Sequence, residues 1–444
     1  MNKYDLIVIG AGPGGYIAAE RAGHEGLKVL IIEKENLGGV CTNWGCIPTK
    51  SLLNSSKLYK KALHSEEFGV SAENVVFSLE KAMAHKQDTI DTLRKGIAYL
   101  MKMNKVDVIM AEAEVIAADT VLADGKTYSC DNLIIATGST AFVPPIPGAD
   151  LPHVLDNKGI LAVDKLPGNL VIIGGGVIGV EFASFFSNIG VKVSVVEMMD
   201  EIIPLMDADF TKALRKNLSK VDFHLKARVT KIDGTKVYFE KDGVETALDA
   251  DMVLMSVGRR PITMGLEKIG VDVAPQGIRV DEQMKTNLPG VYAIGDVNGK
   301  SLLAHSASRM AEVAVNTILG KQDCMRYAAV PWAVYTDPEA AGCGLTEKDA
   351  KEQGYNVKTA SSQMRANGRF LAEMGKKAPG MCKLVVDDDS GEILGVHLLG
   401  SYSSEIIHSA AVMLEMELRV QDVKEIIFPH PSISEIIKDT LWGL

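Results

Sequence analysis

Two cysteines, Cys41 and Cys46, stand five positions apart in GGVCTNWGCIPTK. They follow closely on LIVIGAGPGGYIAAERAGHEGLKVLIIE, a strand, glycine turn, helix and strand ending at Glu33. A thiolate, once formed, exchanges readily with a disulfide. A dithiol placed just after a nucleotide-binding fingerprint therefore suggests electron transfer between sulfur and a cofactor ring. Zinc binding is the other chemistry of close cysteines, but it usually needs a second CxxC-like pair or Cys/His partners at matching spacing. No second pair exists here. Cys130, Cys324, Cys343 and Cys382 are scattered and read as buried apolar thiols. Six cysteines in 444 residues make no disulfide framework, and a close pair in a reducing compartment is expected to be catalytic.

The elements that must position this chemistry occur twice. Leu6 to Glu33 aligns without a gap on LVIIGGGVIGVEFASFFSNIGVKVSVVE, Leu170 to Glu197. Gly10, Gly12 and Gly15 pair with Gly174, Gly176 and Gly179, and both glutamates stand 23 residues beyond the first glycine. The first glycine permits a tight turn, the second admits a pyrophosphate to the backbone, and the third lets helix and strand pack closely. The helix start then offers free N–H groups and the positive end of its dipole to phosphates. A single GxGxxG says little. Two copies, each with a strand before, a helix after and an acid at the right distance, predict two nucleotide seats.

Each unit closes with a similar strand, DNLIIATGS near Gly138 and DMVLMSVGRRP near Gly258. The first unit is longer between its acid and that strand, and the excess contains the cysteine segment. Residues from about 46 to 104 read as helical. GVYAIGD reads as a returning strand ending in Asp296, followed by a helix over HSASRMAEVAVNTIL. From about Tyr327 the texture changes to short antiparallel strands in VPWAVYTDPEAAGCGLTE, CKLVVDD and GEILGVHLLG, with helices around Glu405–Met416 and Val423–Ile427.

At roughly 150 residues per domain the chain should hold about three. Its composition is globular, with 47% hydrophobic residues, 23% charged residues and 41 glycines. A net charge of −10 without a basic stripe argues against a nucleic-acid partner. MNKYDLIVIG runs straight into a strand with no export signal, and the most apolar stretch, near Leu170 to Phe186, is broken by glycines. A cytoplasmic location is expected.

Together, GAGPGG, GGVCTNWGCIPTK, the ATG at Ala136 to Gly138, GGGVIGVE, VGRRP, AIGDV, YTDPE and FPHPSISE resemble the pyridine nucleotide–disulfide oxidoreductase family over essentially the whole chain. The resemblance implies an α/β fold with two Rossmann-like FAD- and NAD(P)-binding domains and an α+β C-terminal dimerisation domain. Boundaries near residues 145, 262 and 325 follow. They give an FAD domain over 1–145 that carries the redox-cysteine helical insertion, an NAD domain over 146–262, a central return over 263–325 and an interface domain over 326–444.

The same resemblance implies roles residue by residue. Gly10, Gly12, Gly15, Glu33, Ala113, Gly138, Asp296 and Ala304 fall at FAD-binding positions. Gly174, Gly176, Gly179, Glu197, Val229 and Gly258 fall at nicotinamide-nucleotide positions. Cys46 is the flavin-facing thiol and Cys41 the outer thiol that exchanges with substrate. Lys50 and Glu181 form an ion pair beside the flavin. His430 is the base, oriented by Glu435, and it serves the cysteines of the other subunit of a homodimer. Glu197 favours NAD, because a carboxylate accepts ribose hydroxyls and repels a 2′-phosphate.

Three departures from the family pattern stand out. Phe428 replaces a common second histidine, Ser432 a threonine, and AEAEV (Ala111 to Val115) glycines near the adenine. The expected reaction is oxidation of a dihydrolipoyl group by FAD and NAD. Its carrier would be a lipoyl-bearing protein of a 2-oxoacid dehydrogenase or glycine cleavage complex. The alternatives are another disulfide reductase, acting on glutathione, mercury or a small thiol, and a redox-inactive flavoprotein binding module. Glu197, the absence of a further cysteine pair, and the intact Cys41, Cys46, His430 and Glu435 weigh against them.

Overall fold

In the computed structural model, which describes residues 2–444, the Asn2–Ile9 strand lies at the centre of the first sheet. Val29–Glu33 and Lys126–Ile135 pair with it in parallel, and Asp107–Met110 extends the sheet beyond Val29–Glu33. Side chains alternate across a strand. Leu6 and Val8 therefore pack on one face with Ala18, Ala19 and Ala22, while Ile7 and Ile9 pack on the other with Leu133 and Ile135. Both faces are covered, as a parallel sheet requires. The three alanines give the Pro13–His24 helix a small-residue face that seats it close to the sheet and to Ala311 and Ala314 of the Ala304–Ile318 helix.

The Lys126–Ile135 strand is long enough to hold two partners on the same edge. Its first half pairs antiparallel with Thr120–Ala123, and its last three residues pair in parallel with Val291–Ala293, where the chain returns. The repeat forms a second sheet, all parallel, in the order Val221–His224, Lys192–Val196, Asn169–Ile173, Met252–Met255, Val154–Leu155. A meander of Arg228–Asp233, Lys236–Lys241 and Val244–Asp249 is added to it. Ser139–Ala141 and Arg259–Pro261 pair antiparallel where the chain leaves one unit and comes back from the other. The C-terminal part is a five-stranded antiparallel sheet, Trp332–Val334, Ala340–Gly344, Ile393–Leu399, Met381–Asp387, Val357–Gln363.

The mixed α/β class with its two glycine-turn units and a separate C-terminal sheet is as expected, and some local details differ. The helical insertion is interrupted. Helices span Cys46–Leu63 and Leu79–Met103, but a short turn, Ser65–Phe68, ends at Gly69 with φ +77°, and residues 70–78 carry no helix. The returning strand stops at Ala293, and Asp296 sits in the turn Gly295–Asn298, because Gly295 at φ +72° leaves the extended conformation. Cys324 is exposed rather than buried, lying in a loop with no apolar layer over it. Val357–Gln363 and the last helix, Glu435–Leu441, gave little signal, the strand being largely polar and the helix short. Among the described residues no helix is long and apolar enough to cross a membrane.

Candidate active site

The two glycine turns are built alike, and their glycines answer to different demands. Gly10 and Gly174 hold φ of +97° and +104°, which L side chains rarely adopt. A Cβ on Gly15 or Gly179 would run into the carbonyl oxygen of Gly10 or Gly174. Those four glycines are required by the chain itself. Gly12 and Gly176 are not. Their backbones are extended; a Cβ on Gly176 would point into open space, and one on Gly12 would meet only the Gly39 Cα, at a comfortable 4.0 Å. Each begins a helix without a side-chain cap, so the first N–H groups face outward. Helices elsewhere, such as those starting at Leu79, Ala208 and Glu347, are capped by Ser78, Asp207 and Thr346. An uncapped helix start behind an unobstructed glycine fits a pyrophosphate.

The acids close the same design. Glu33 accepts hydrogen bonds from the N–H groups of Ala11 and Glu35 at 2.7 and 2.8 Å. Glu197 accepts from Gly175 and Met199 at 2.5 and 2.6 Å. Each carboxylate is thereby held at the end of its second strand, beside the glycine turn. A cavity of about 290 Å³ opens at the first seat, lined by Gly10, Glu33, Ala113, Thr137 and Met264 among others. Gly138 and Gly258 occupy equivalent turns with positive φ and open space where a side chain would be. Ala304 starts a helix without a side-chain cap. Val229 lies half-buried in the meander.

Cys41 lies in the short helix Gly39–Trp44, and Cys46 is the first residue of Cys46–Leu63, with Gly45 between the helices. Both thiols are free. Asn43, buried between them, ties the segment down: its Nδ2 donates to the carbonyls of Gly39 and Leu37 at 2.7 and 3.1 Å, and its Oδ1 accepts from Arg94. The Cys46 thiol is drawn down to about 7 by a hydrogen bond from Cys41, with the Lys50 ammonium assisting and burial opposing. The Cys41 thiol is pushed up, because it gives that hydrogen bond and is itself buried. Of the pair, Cys46 is the one that ionises.

Lys50, one turn along the same helix, donates to both carboxylate oxygens of buried Glu181 at 3.0 Å. Burial disfavours the Lys50 ammonium, but the charge and hydrogen bonds of Glu181 outweigh it, and its pKa is raised. Glu181 lies on the helix Val177–Asn188 that opens from the second glycine turn. The pair thus joins the cysteine helix to the second seat. A third element meets it: Tyr335 donates its backbone N–H to Glu181 at 2.9 Å, and the Lys50 nitrogen lies 4.4 Å from the centre of its ring.

His430 and Glu435 lie at the opposite end of the chain. His430 Nδ1 is 3.0 Å from Glu435 Oε1, and Ser432 donates its N–H to Glu435 Oε2 at 2.8 Å. The imidazole is 82% exposed and is not brought against the dithiol within one chain. Ile427 and Trp442 on the same C-terminal unit are also exposed, at 91% and 66%. Asp296 accepts a hydrogen bond from Ser139 at 2.5 Å, and Arg259 donates to the Ser139 hydroxyl and carbonyl. Ser139, Arg259, Tyr335 and Arg94 were not singled out from sequence. The first three lie inside or beside quoted motifs, whereas nothing local marks Arg94.

Comparison with known proteins matches this arrangement. Residues 4–311 match the family described as pyridine nucleotide-disulphide oxidoreductase, and residues 330–441 match its dimerisation domain. Dihydrolipoyl dehydrogenase of Geobacillus stearothermophilus is 39% identical over 97% of this chain and 94% of its own. The protein of that name from Thermus scotoductus is 40% identical over 100% of this chain and 98% of its own. Among solved structures, the HOCl-induced flavoprotein disulfide reductase RclA from Escherichia coli, in a Cu(II) complex, superposes with a TM-score of 0.89 at 29% identity, each chain covered fully. On the match of both its parts and on full-length relatives near 40% identity, the chain belongs to the pyridine nucleotide-disulphide oxidoreductase family.

Proposed function

We propose that this protein oxidises dihydrolipoyl groups carried on a partner protein and passes the two electrons to NAD. The observation that carries the reading is a dithiol with an acidic inner thiol, Cys46, on a helix tied through Lys50 and Glu181 to a second nucleotide seat. Gly12, Glu33 and the start of the Pro13–His24 helix would hold FAD, with Asp296 and Ala304 further along it. Gly176, Glu197 and the start of the Val177–Asn188 helix would hold NAD. When bound, FAD and NAD supply the two-electron relay from the dithiol and its final acceptor.

The protein's own residues carry the sulfur chemistry. His430, oriented by Glu435, accepts the proton of one lipoyl thiol. The resulting thiolate attacks Cys41 of the oxidised Cys41–Cys46 pair and forms a mixed disulfide, and Cys46 leaves as a thiolate that Lys50 stabilises. The second lipoyl sulfur then closes on the first. It expels Cys41, which takes the second proton as the first stays on the imidazole. The lipoyl group is oxidised and the dithiol reduced by two electrons.

His430 is exposed on a C-terminal unit that also exposes Ile427 and Trp442, which supports a homodimer in which each protomer's histidine serves the other's dithiol. The carrier is a lipoyl-bearing protein of the 2-oxoacid dehydrogenase or glycine cleavage type. A reducing cytoplasm is the fitting compartment, since a close cysteine pair there serves catalysis rather than a structural disulfide. The test is NADH formation by the purified protein from dihydrolipoamide, with NAD and NADP in parallel. A fast, NAD-selective rate is expected. No rate, in a protein whose flavin NADH still reduces, would overturn the lipoyl assignment and move the substrate to another disulfide.

A further inference from the structure

Tyr335 reaches the redox site from outside both nucleotide units. It follows the Trp332–Val334 strand of the C-terminal sheet, and residues 335–339 lie along the cysteine helix and the Glu181 helix. Three lysines of the cysteine helix meet this region. Lys50 is covered by the Tyr335 ring, Lys57 pairs with Glu339 at 2.9 Å, and Lys60 pairs with Asp337 at 2.8 Å. Asp337 also donates its N–H to Ser184 of the Glu181 helix. The C-terminal segment therefore grips the two helices whose side chains set the charge around Cys46.

Within that grip Tyr335 contacts both members of the central pair. Its N–H fixes one oxygen of Glu181, and its ring face lies over the Lys50 ammonium. Without the ring, an ammonium whose side chain is 31% exposed could swing toward water and away from the sulfur. A cation held over an aromatic face gains attraction that an aliphatic side chain cannot supply.

We propose that Tyr335 is a positioning residue for the dithiol: its ring holds the Lys50 ammonium where it stabilises the Cys46 thiolate, so that the C-terminal unit tunes the inner thiol. The groups that face Cys46 from each packed element are Cys41, Lys50, Glu181, Arg259 and Tyr16. Substituting the Tyr335 side chain keeps its backbone N–H on Glu181 and, of these groups, removes a contact to Lys50 alone. The proposal rests on Cys41 and Cys46 being the redox pair but not on the identity of the disulfide substrate.

The experiment is the pH profile of Cys46 alkylation by iodoacetamide in the reduced, FAD-loaded protein, resolved from Cys41 by peptide mass. Tyr335→Leu is expected to raise the Cys46 midpoint by about half a pH unit. Tyr335→Phe, which keeps the ring face, is expected to hold the original midpoint. In a Lys50→Met background, itself shifted upward, Tyr335→Leu should add nothing further. An unchanged midpoint in Tyr335→Leu overturns the proposal. So does an equal shift in Tyr335→Phe, or a shift that persists without Lys50. If Tyr335→Leu does not fold, Tyr335→Met takes its place with the same expectation. A Lys50→Met profile equal to the parent's overturns the proposal as well, because Lys50 would then not stabilise the Cys46 thiolate. Failure of the underlying dithiol reading would show separately, as full activity in Cys41→Ser.

Discussion

Glu435 holds His430 with one carboxylate oxygen and the backbone N–H of Ser432 with the other, at 3.0 and 2.8 Å. Those bonds, the Ser432 N–H first and the His430 ring second, lower the carboxyl pKa. Glu435 therefore stays charged through the neutral range and keeps the ring with Nδ1 toward itself and Nε2 outward. His430→Gln is expected to lower kcat for dihydrolipoamide by about 10²- to 10⁴-fold, the usual range for losing a positioned base. Glu435→Ala should cost less, since the imidazole remains. Steady-state rates with dihydrolipoamide check this, and a His430→Gln rate near the parent's would remove the base assignment.

Gly12 and Gly15 separate what the nucleotide requires from what the fold requires. Gly12→Ala meets only the Gly39 Cα, at an ordinary van der Waals distance of 4.0 Å, and needs no change of backbone, so the apoprotein should melt at the parent's temperature. Flavin retention should fall at least about tenfold, because the new methyl occupies the space a pyrophosphate needs. Gly176→Ala should likewise raise KM for NAD and leave the fold intact. Gly15→Ala drives a methyl into the Gly10 carbonyl and should yield little folded protein. Thermal melts and flavin absorbance after gel filtration distinguish the three.

These glycines were legible in the sequence because their demands are local: a turn, a helix start, an acid at the end of the next strand. His430 and Glu435 are legible in the same way, being five residues apart in one short segment. Lys50 and Glu181 are 131 residues apart, and only resemblance suggested that they meet. Tyr335 lay inside a quoted motif, yet its ring contact depends on how a third sheet packs against two helices. The Asn43–Arg94 bond is of the same kind, a residue of the short Gly39–Trp44 helix meeting another helix 51 positions away. The break at 69–78 was missed because a glycine with positive φ ends a turn without any proline to announce it.

Glu181→Gln tests the buried pair from the acid's side. It leaves the Lys50 ammonium facing burial without its counter-charge, so the Lys50 pKa should fall. Breaking a fully buried pair costs about 3–5 kcal/mol. Lys50 is 31% exposed, and water offsets part of that, so a loss of about 1–3 kcal/mol in urea unfolding is expected. A loss below about 0.5 kcal/mol would mean that the pair behaves as a surface ion pair.

The acidity of Cys46 carries a sign for stability. Its pKa falls from an ordinary 9.0 to about 7 in the folded protein, first through the Cys41 hydrogen bond. A group with a depressed folded pKa stabilises fully above its unfolded pKa and loses that contribution as pH falls through the folded value. The reduced protein should therefore gain stability, relative to Cys46→Ser, as pH rises from about 7 to 9. Above that window Cys41, whose pKa is raised, must lose its proton on unfolding and opposes the trend. Melting temperatures of reduced parent and variant across this range give the test, and parallel curves would contradict the thiolate assignment.

Glu197 decides between the two nicotinamide nucleotides by where it is held. Its carboxylate is pinned by Gly175 and Met199 N–H groups and cannot swing aside. Met198 and Met199 beside it are largely exposed and offer no positive charge to a 2′-phosphate. Repulsion of one unit charge at about 5 Å, with an effective dielectric near 20, is on the order of 3 kcal/mol. NAD should accordingly be preferred over NADP by about 100-fold or more in kcat/KM. Glu197→Gln removes the repulsion and keeps a hydrogen-bonding group, so the preference should fall below about tenfold, chiefly through a lower KM for NADP. If Glu197→Gln left the ratio unchanged, discrimination would lie in the meander that carries Val229, and substitutions there would be the ones to measure.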